Sequence, residues 1–204
     1  MSERMLDKVT LWLGHIWHRL AERHIGIYEI LDYDSTLELC DAEGHKAVFK
    51  RFQKVRFLQD NVTSYQDHAW GDGEIFGDYI CAPGVVADKY QEGERWNILI
   101  SLRETKSRGD IEDIYIERTV IDGFTQQHEW RQTAVWHPTH RLRLAVIFPK
   151  ERHCKRAILQ IRRTNQTIEL DHSAFRLLGD GRQMVTWETK NPGLAEVFTL
   201  RWVW

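Results

Sequence analysis

The feature that most constrains this chain is a change of hydrophobic period at Gly26. Before it, Met5, Val9, Trp12, Ile16 and Leu20 recur every three or four residues, and Leu6, Leu13 and Trp17 widen the stripe. That spacing predicts an amphipathic α-helix over 4–24, with charged and polar residues such as Asp7, Lys8, Arg19 and Glu22 on the remaining face. After Gly26 the period is two. Successive strand side chains point to opposite faces, so alternating runs rich in branched and aromatic residues predict half-buried strands.

Turn residues divide the alternating region. Asp41-Ala-Glu-Gly44 predicts a hairpin between 27–40 and 45–58. Asp122-Gly123 predicts another between 111–121 and 124–136, because both residues tolerate the positive φ of a tight hairpin turn. In the second arm, Phe124, Gln126, His128, Trp130, Gln132, Ala134 and Trp136 share one face, expected to be half-buried. Thr125, Gln127, Glu129, Arg131 and Thr133 share the other, expected to be wet. Further strands are predicted at 96–103, 141–148, 156–163 and 182–189, with a return segment at 167–170 and a last strand carrying Phe198, Leu200, Trp202 and Trp204. Residues 59–95 are broken by Gly71, Gly73, Gly77, Pro83-Gly84 and Gly93, and only one short strand, near 74–80, is expected there.

About ten strands without interleaved helices predict a mainly β fold: an antiparallel β-sandwich with an N-terminal amphipathic α-helix, a closed or partly open barrel being the rival. The division expected is 1–25 for the helix and 26–204 for a single β domain.

Composition excludes several classes. Of 204 residues, 42% are hydrophobic and the formal charge is −2, which argues against disorder. Cys40, Cys81 and Cys154 are widely spaced and form no CxxC pair, as expected of reduced thiols in a cytoplasmic protein. The apolar run 9–13 is too short for a signal peptide or a membrane span.

Charge is unevenly spread. Residues 60–128 hold fourteen acids and six bases, whereas 129–167 hold two acids and nine bases. The blocks either face each other on adjacent strands or polarise a surface that meets a partner. Nucleic acid is a disfavoured partner for the basic segment 141–163, because the overall pI is near 6.6 and no nucleic-acid recognition motif is present.

Candidate chemistry is sparse. Asp67, Asp72, Glu74 and Asp78 alternate with glycines around Trp70, a pattern able to wrap a hard cation such as Ca²⁺ or Mg²⁺, although the spacing is not that of an EF-hand. The other reading is a turn whose carboxylates cap backbone N–H groups. No HExxH, GxSxG, Walker A or dinucleotide-binding glycine pattern occurs, so no cofactor is expected. Strand tryptophans read as core. Trp70, in the acidic loop, reads as a loop staple or a partner anchor. Trp202 and Trp204 share a face, and a flat aromatic pair also suits a sugar ring.

These features favour a non-enzymatic protein–protein interaction module, an adaptor or regulatory subunit. It would contact its partner through Trp12, Trp17, Trp70, Arg141, Arg143, Arg156 and Arg162. The alternatives are a metal-dependent enzyme or binder centred on 67–78 and a nucleic-acid binder using 141–163.

Overall fold

A computed structural model describes residues 26–204, so the expected helix, with Trp12 and Trp17, lies outside the described residues. Fourteen strands follow in chain order. The first seven are β1 (Tyr28–Leu39), β2 (Lys46–Phe57), β3 (Val62–Ala69), β4 (Tyr79–Ala82), β5 (Val85–Glu92), β6 (Arg95–Lys106) and β7 (Ile111–Ile121). The rest are β8 (His128–Ala134), β9 (Arg141–Phe148), β10 (Arg156–Ile161), β11 (Gln166–Glu169), β12 (Phe175–Leu177), β13 (Gln183–Lys190) and β14 (Val197–Val203). One 3-10 turn, His172–Ala174, is the only helical element among the described residues.

The strands form three sheets. Seven make a large sheet in the order β12-β13-β9-β1-β2-β7-β4, four make β11-β10-β14-β8, and three make β3-β6-β5. Every pairing but one is antiparallel; β1 and β9 run parallel, Tyr33 lying opposite Leu142 and Glu38 opposite Ile147. The expected all-antiparallel arrangement is corrected there. A parallel neighbour needs a long crossover, and here the chain builds seven intervening strands before it returns.

One face of the large sheet is the floor of the core. A register irregularity between Ile30 and Asp32 resets the phase of β1, so Tyr28, Ile30, Ser35, Leu37 and Leu39 all end buried. Ala47, Val55 and Phe57 of β2 and Ile114, Ile116 and Val120 of β7 continue this face. The two small sheets lie over it. Phe148 of β9 meets Trp202 of β14 edge-on at 5.9 Å, and Tyr28 stacks on Tyr65 of β3 at 5.4 Å. Buried residues from all three sheets form one cluster. Each fully buried Leu, Ile or Phe contributes about 1.5–3 kcal/mol, and this shared burial holds the layers together.

The opposite face of the large sheet is a lattice of ion pairs. Arg141 binds Asp32 and Glu188, Arg143 binds Asp34, and Arg56 binds Glu29. Glu38 takes both Lys50 and Arg182. The basic segment is thus matched by acids of β1 and β13, not by the acidic block of 60–128. Exposed pairs of this kind contribute about 0–1 kcal/mol each and mainly favour one register.

Three strand expectations need correction. The β1–β2 hairpin forms as expected, but Asp122-Gly123 does not close one between β7 and β8. Both edges of β7 are already occupied, by β2 and β4, so β8 pairs instead with β14. Residues 59–95 hold three strands rather than one. In β8 the expected faces are inverted: Arg131 and Thr133 are buried, whereas Trp130 is 42% exposed.

Candidate ligand cavity

The inward phases of four strands carry polar residues among apolar ones. On β2 the sequence inward is Ala47, Phe49, Arg51, Gln53 and Val55; on β7 it is Ile114, Ile116, Arg118 and Val120. β3 contributes Tyr65 and Asp67, and β8 contributes Arg131 and Thr133. Antiparallel register sets Phe49 directly opposite Arg118, so the two side chains stand together on the core face.

These residues surround a cavity between the layers. Its floor is the large sheet, including Tyr33, Phe49, Arg51 and Arg118. Its roof is the seam between β3 and β8, the facing edges of the two small sheets, which are not hydrogen-bonded to each other. Trp70, Trp130 and Trp136 line the cavity and remain partly exposed, placing its mouth at this seam. The cavity volume is ≈ 140 Å³. At about 10–15 Å³ per water, that is room for on the order of ten waters or one small organic molecule.

The electrostatics are unusual for a protein interior. Arg51 Nη2 lies 2.7 Å from Asp67 Oδ1, with the two side chains almost wholly buried. The Tyr79 hydroxyl donates to Asp67 Oδ2 at 2.8 Å, and the His68 backbone N–H donates to Oδ1 at 2.7 Å. Burial pushes the Asp67 carboxyl up, but Arg51, Arg118 and these donors hold it below the usual carboxylate range. Asp67 is therefore ionised, and Arg51 is charged beside it.

Among the described residues, neither Arg131 nor Arg118 has a hydrogen bond or ion pair to a carboxylate. Arg131 donates through Nη1 to the carbonyls of Ser35 (3.1 Å) and Ala145 (2.9 Å) and through Nη2 to the Ser35 hydroxyl, tying β8 to the parallel β1–β9 pair. Its pKa is lowered to about 10, first by burial, so it stays protonated near neutral pH. Arg118 lies with its guanidinium carbon 4.1 Å from the Phe49 ring centroid, and Arg131 is 5.5 Å from the same centroid. Nε and Nη1 of Arg118, and Nε of Arg51, are buried and meet no acceptor. Burial lowers the Arg118 pKa, with Arg51 adding to the effect and Asp67 opposing it. His68 is pushed down to about 3 by burial and then by Arg95, so it is neutral. The inner wall of the cavity thus carries three guanidiniums, one of them paired with the buried Asp67, while Asp72 and Glu129 sit on its lining closer to the surface.

Such a site offers recognition: fixed cationic donors in a low-dielectric pocket favour an anion, and aromatic walls favour an apolar body. Of the carboxylates proposed for a metal, Asp67 is committed to Arg51 and Tyr79, and Asp72 lines the cavity. Glu74 and Asp78 use their backbones to bond Ile121 and Thr119. Among the described residues no group of three or more His, Cys, Asp or Glu side chains comes together as a metal centre would, so the four do not form the expected cage. Arg141, Arg143 and Arg156 are engaged in ion pairs, and Arg162 is exposed. Trp202 and Trp204 are buried, which removes the flat sugar-stacking pair. Trp70 alone among the described expected contact residues reaches the cavity. Phe49, Arg51 and Arg118 are not among the residues the sequence singles out, and Arg131 is placed by its alternation on a face expected to be wet. Their signal is an arginine standing in the apolar phase of a strand, as in Ile114, Ile116, Arg118, Val120.

No protein-family model matches the sequence, and no curated protein matches it. Among solved structures, the M1 zinc metallopeptidase from Deinococcus radiodurans is similar at 10% identity and a TM-score of 0.47, over 85% of this chain and 42% of that one. A putative protease from Parabacteroides distasonis ATCC 8503 is similar at 8% identity and a TM-score of 0.49, over 87% of this chain and 40% of that one. The chain thus spans about two fifths of the length of these proteins. At that level of similarity nothing about activity follows from them.

Proposed function

We propose that this chain is a ligand-binding domain that takes an organic anion into the cavity between its sheets, with Arg118 as the anchor. The observation that carries this reading is Arg118 itself: 9% exposed, with Nε and Nη1 lacking acceptors, on the wall of an aromatic-lined cavity. A buried guanidinium with donors left unpaired costs about 1–3 kcal/mol or more, and a bound anion would offset that cost. We read the layering as a β-sandwich whose second layer is split, and the split supplies the entrance. Binding to the folded state alone would stabilise it by about 2.7 kcal/mol at a ligand concentration one hundred times Kd. Thermal unfolding against a panel of aromatic carboxylates and phosphates tests the reading. A rise in melting temperature that Arg118→Met abolishes is expected; no rise with any member at millimolar concentration sinks it.

The protein–protein module expected from the sequence is the second reading. Its support is β5, exposed along its whole length at the free edge of its sheet, with Val85 and Tyr90 about half exposed. Such an edge suits addition of a partner strand. Affinity capture with and without a charge placed at Val85 separates a specific partner from none.

A further inference from the structure

Resting on the anion-binding reading, the geometry points to the class of head group: we propose that the ligand presents two negative charges, as a phosphate monoester or a paired dicarboxylate does, rather than one. The argument is a charge count around the inner end of the cavity. Arg51, Arg118 and Arg131 are all at most 9% exposed and all line the cavity, and the buried carboxylate Asp67 pairs with Arg51 and acts on Arg118. His68 and the tyrosines Tyr28 and Tyr65 are neutral there: burial depresses the imidazole and raises both phenols. The inner wall therefore carries two positive charges beyond those Asp67 compensates. A single carboxylate would leave one guanidinium uncompensated in a low-dielectric space, whereas a dianion balances the wall.

The donors agree with the count. Arg131 spends its terminal nitrogens on Ser35 and Ala145, so it acts on a ligand mainly through its field. Arg118 keeps Nε and Nη1, and Arg51 keeps Nε, for oxygens that enter. These two arginines stand on neighbouring strands: Phe49, two residues before Arg51, is the direct cross-strand partner of Arg118. Several donors from two guanidiniums suit a head with several oxygens. The acids Asp72 and Glu129, nearer the surface, oppose an anion at the mouth and favour the orientation with the charged end inward. The uncharged part of the ligand then lies against Trp70, Trp130 and Trp136, which suits a flat aromatic body.

The test holds the body constant and varies the head. Calorimetric titration of the full chain at pH 8 would compare 1-naphthyl phosphate, a dianion, with its monoanionic methyl ester, with 2-naphthoate and with neutral 1-naphthol. Naphthalene-2,3-dicarboxylate serves as the second dianion. The expected result is that at least one dianion binds tenfold or more tightly than both monoanions, and that naphthol binds weakest. Preference for the phosphate over the dicarboxylate, or the reverse, identifies which dianion the site takes. In Arg118→Met, shown to be folded by its melting transition, the advantage of dianion over monoanion should shrink to threefold or less. Equal binding of monoanions and dianions overturns the two-charge head while leaving anion binding intact. Failure of every anion to bind overturns both.

Discussion

Arg51 of β2 and Asp67 of β3 meet at 2.7 Å with side chains 9% and 0% exposed, and this pair joins the large sheet to the three-stranded one. Removing one partner leaves a buried charge without its counterpart, at a cost of about 3–5 kcal/mol. Asp67→Asn takes away the carboxylate that Arg51, Arg118 and the Tyr79 hydroxyl share. Chemical denaturation should show a loss of that size, and the melting temperature should fall by about 10 °C. The double substitution Arg51→Met with Asp67→Leu should recover most of it, because an apolar pair needs no solvation. A single variant as stable as the parent would show the pair to be incidental.

Arg118→Met should behave in the opposite sense. The guanidinium has two unpartnered nitrogens and stands near a second buried cation, so replacing it by a side chain of similar length removes an unfavourable term. Unliganded stability should be unchanged or raised by about 1–4 kcal/mol, measured as a urea midpoint at constant m. A loss above about 2 kcal/mol would mark Arg118 as a structural residue held by Phe49 and Asp67, and the argument for a ligand anchor would fail.

These two residues also show what the sequence makes legible. Hairpins closed by local turns, such as β1–β2, are readable because register follows from the turn and from period two. The parallel β1–β9 pairing is not, since nothing local in either strand records a neighbour more than a hundred residues away. Strand β3 is hidden by its own buried charge: Tyr65, Asp67 and Ala69 are its buried phase, and a carboxylate in that phase reads as a loop until Arg51 is known to face it. The same holds for β8, where Arg131 is buried and Trp130, at the cavity mouth, is exposed. Binary patterning assigns tryptophan to the core and arginine to water, and a polar internal cavity inverts both.

The pH dependence follows from His68. Burial, then Arg95, lowers its folded pKa to about 3, below the ordinary value of 6.5. Between these values the unfolded chain binds a proton that the folded chain does not, so stability rises with pH across the window. The contribution is full above about pH 6.5 and is lost as pH falls toward 3, with a slope of at most about 1.4 kcal/mol per pH unit. His68→Gln should flatten the dependence of the urea midpoint between pH 6.5 and 4 and leave the dependence above pH 7 unaltered. An identical slope in variant and parent would show that His68 is protonated in the fold.

Trp204 anchors the far end of the core. It is 1% exposed, its indole Nε1 donates to the Gln126 carbonyl at 2.8 Å, and Arg152 lies 3.9 Å from its ring centroid. The ring also packs edge-on against Phe148 and lies near Gly44, where the carbonyl of Phe124 leaves no space for a side chain. Trp204→Ala removes all of these contacts and leaves a cavity that the surrounding sheets fill only partly. A loss of about 3–5 kcal/mol is expected. Trp204→Phe keeps the packing but forfeits the hydrogen bond and strands the Gln126 carbonyl, so it should cost about 1–3 kcal/mol. The cavity lining does not include Trp204, so anion affinity measured at low denaturant should stay within about threefold of the parent in the Phe variant. A large loss of affinity there would mean that the β14 terminus and the cavity move as one unit, and the anchor at Arg118 would have to be described together with it.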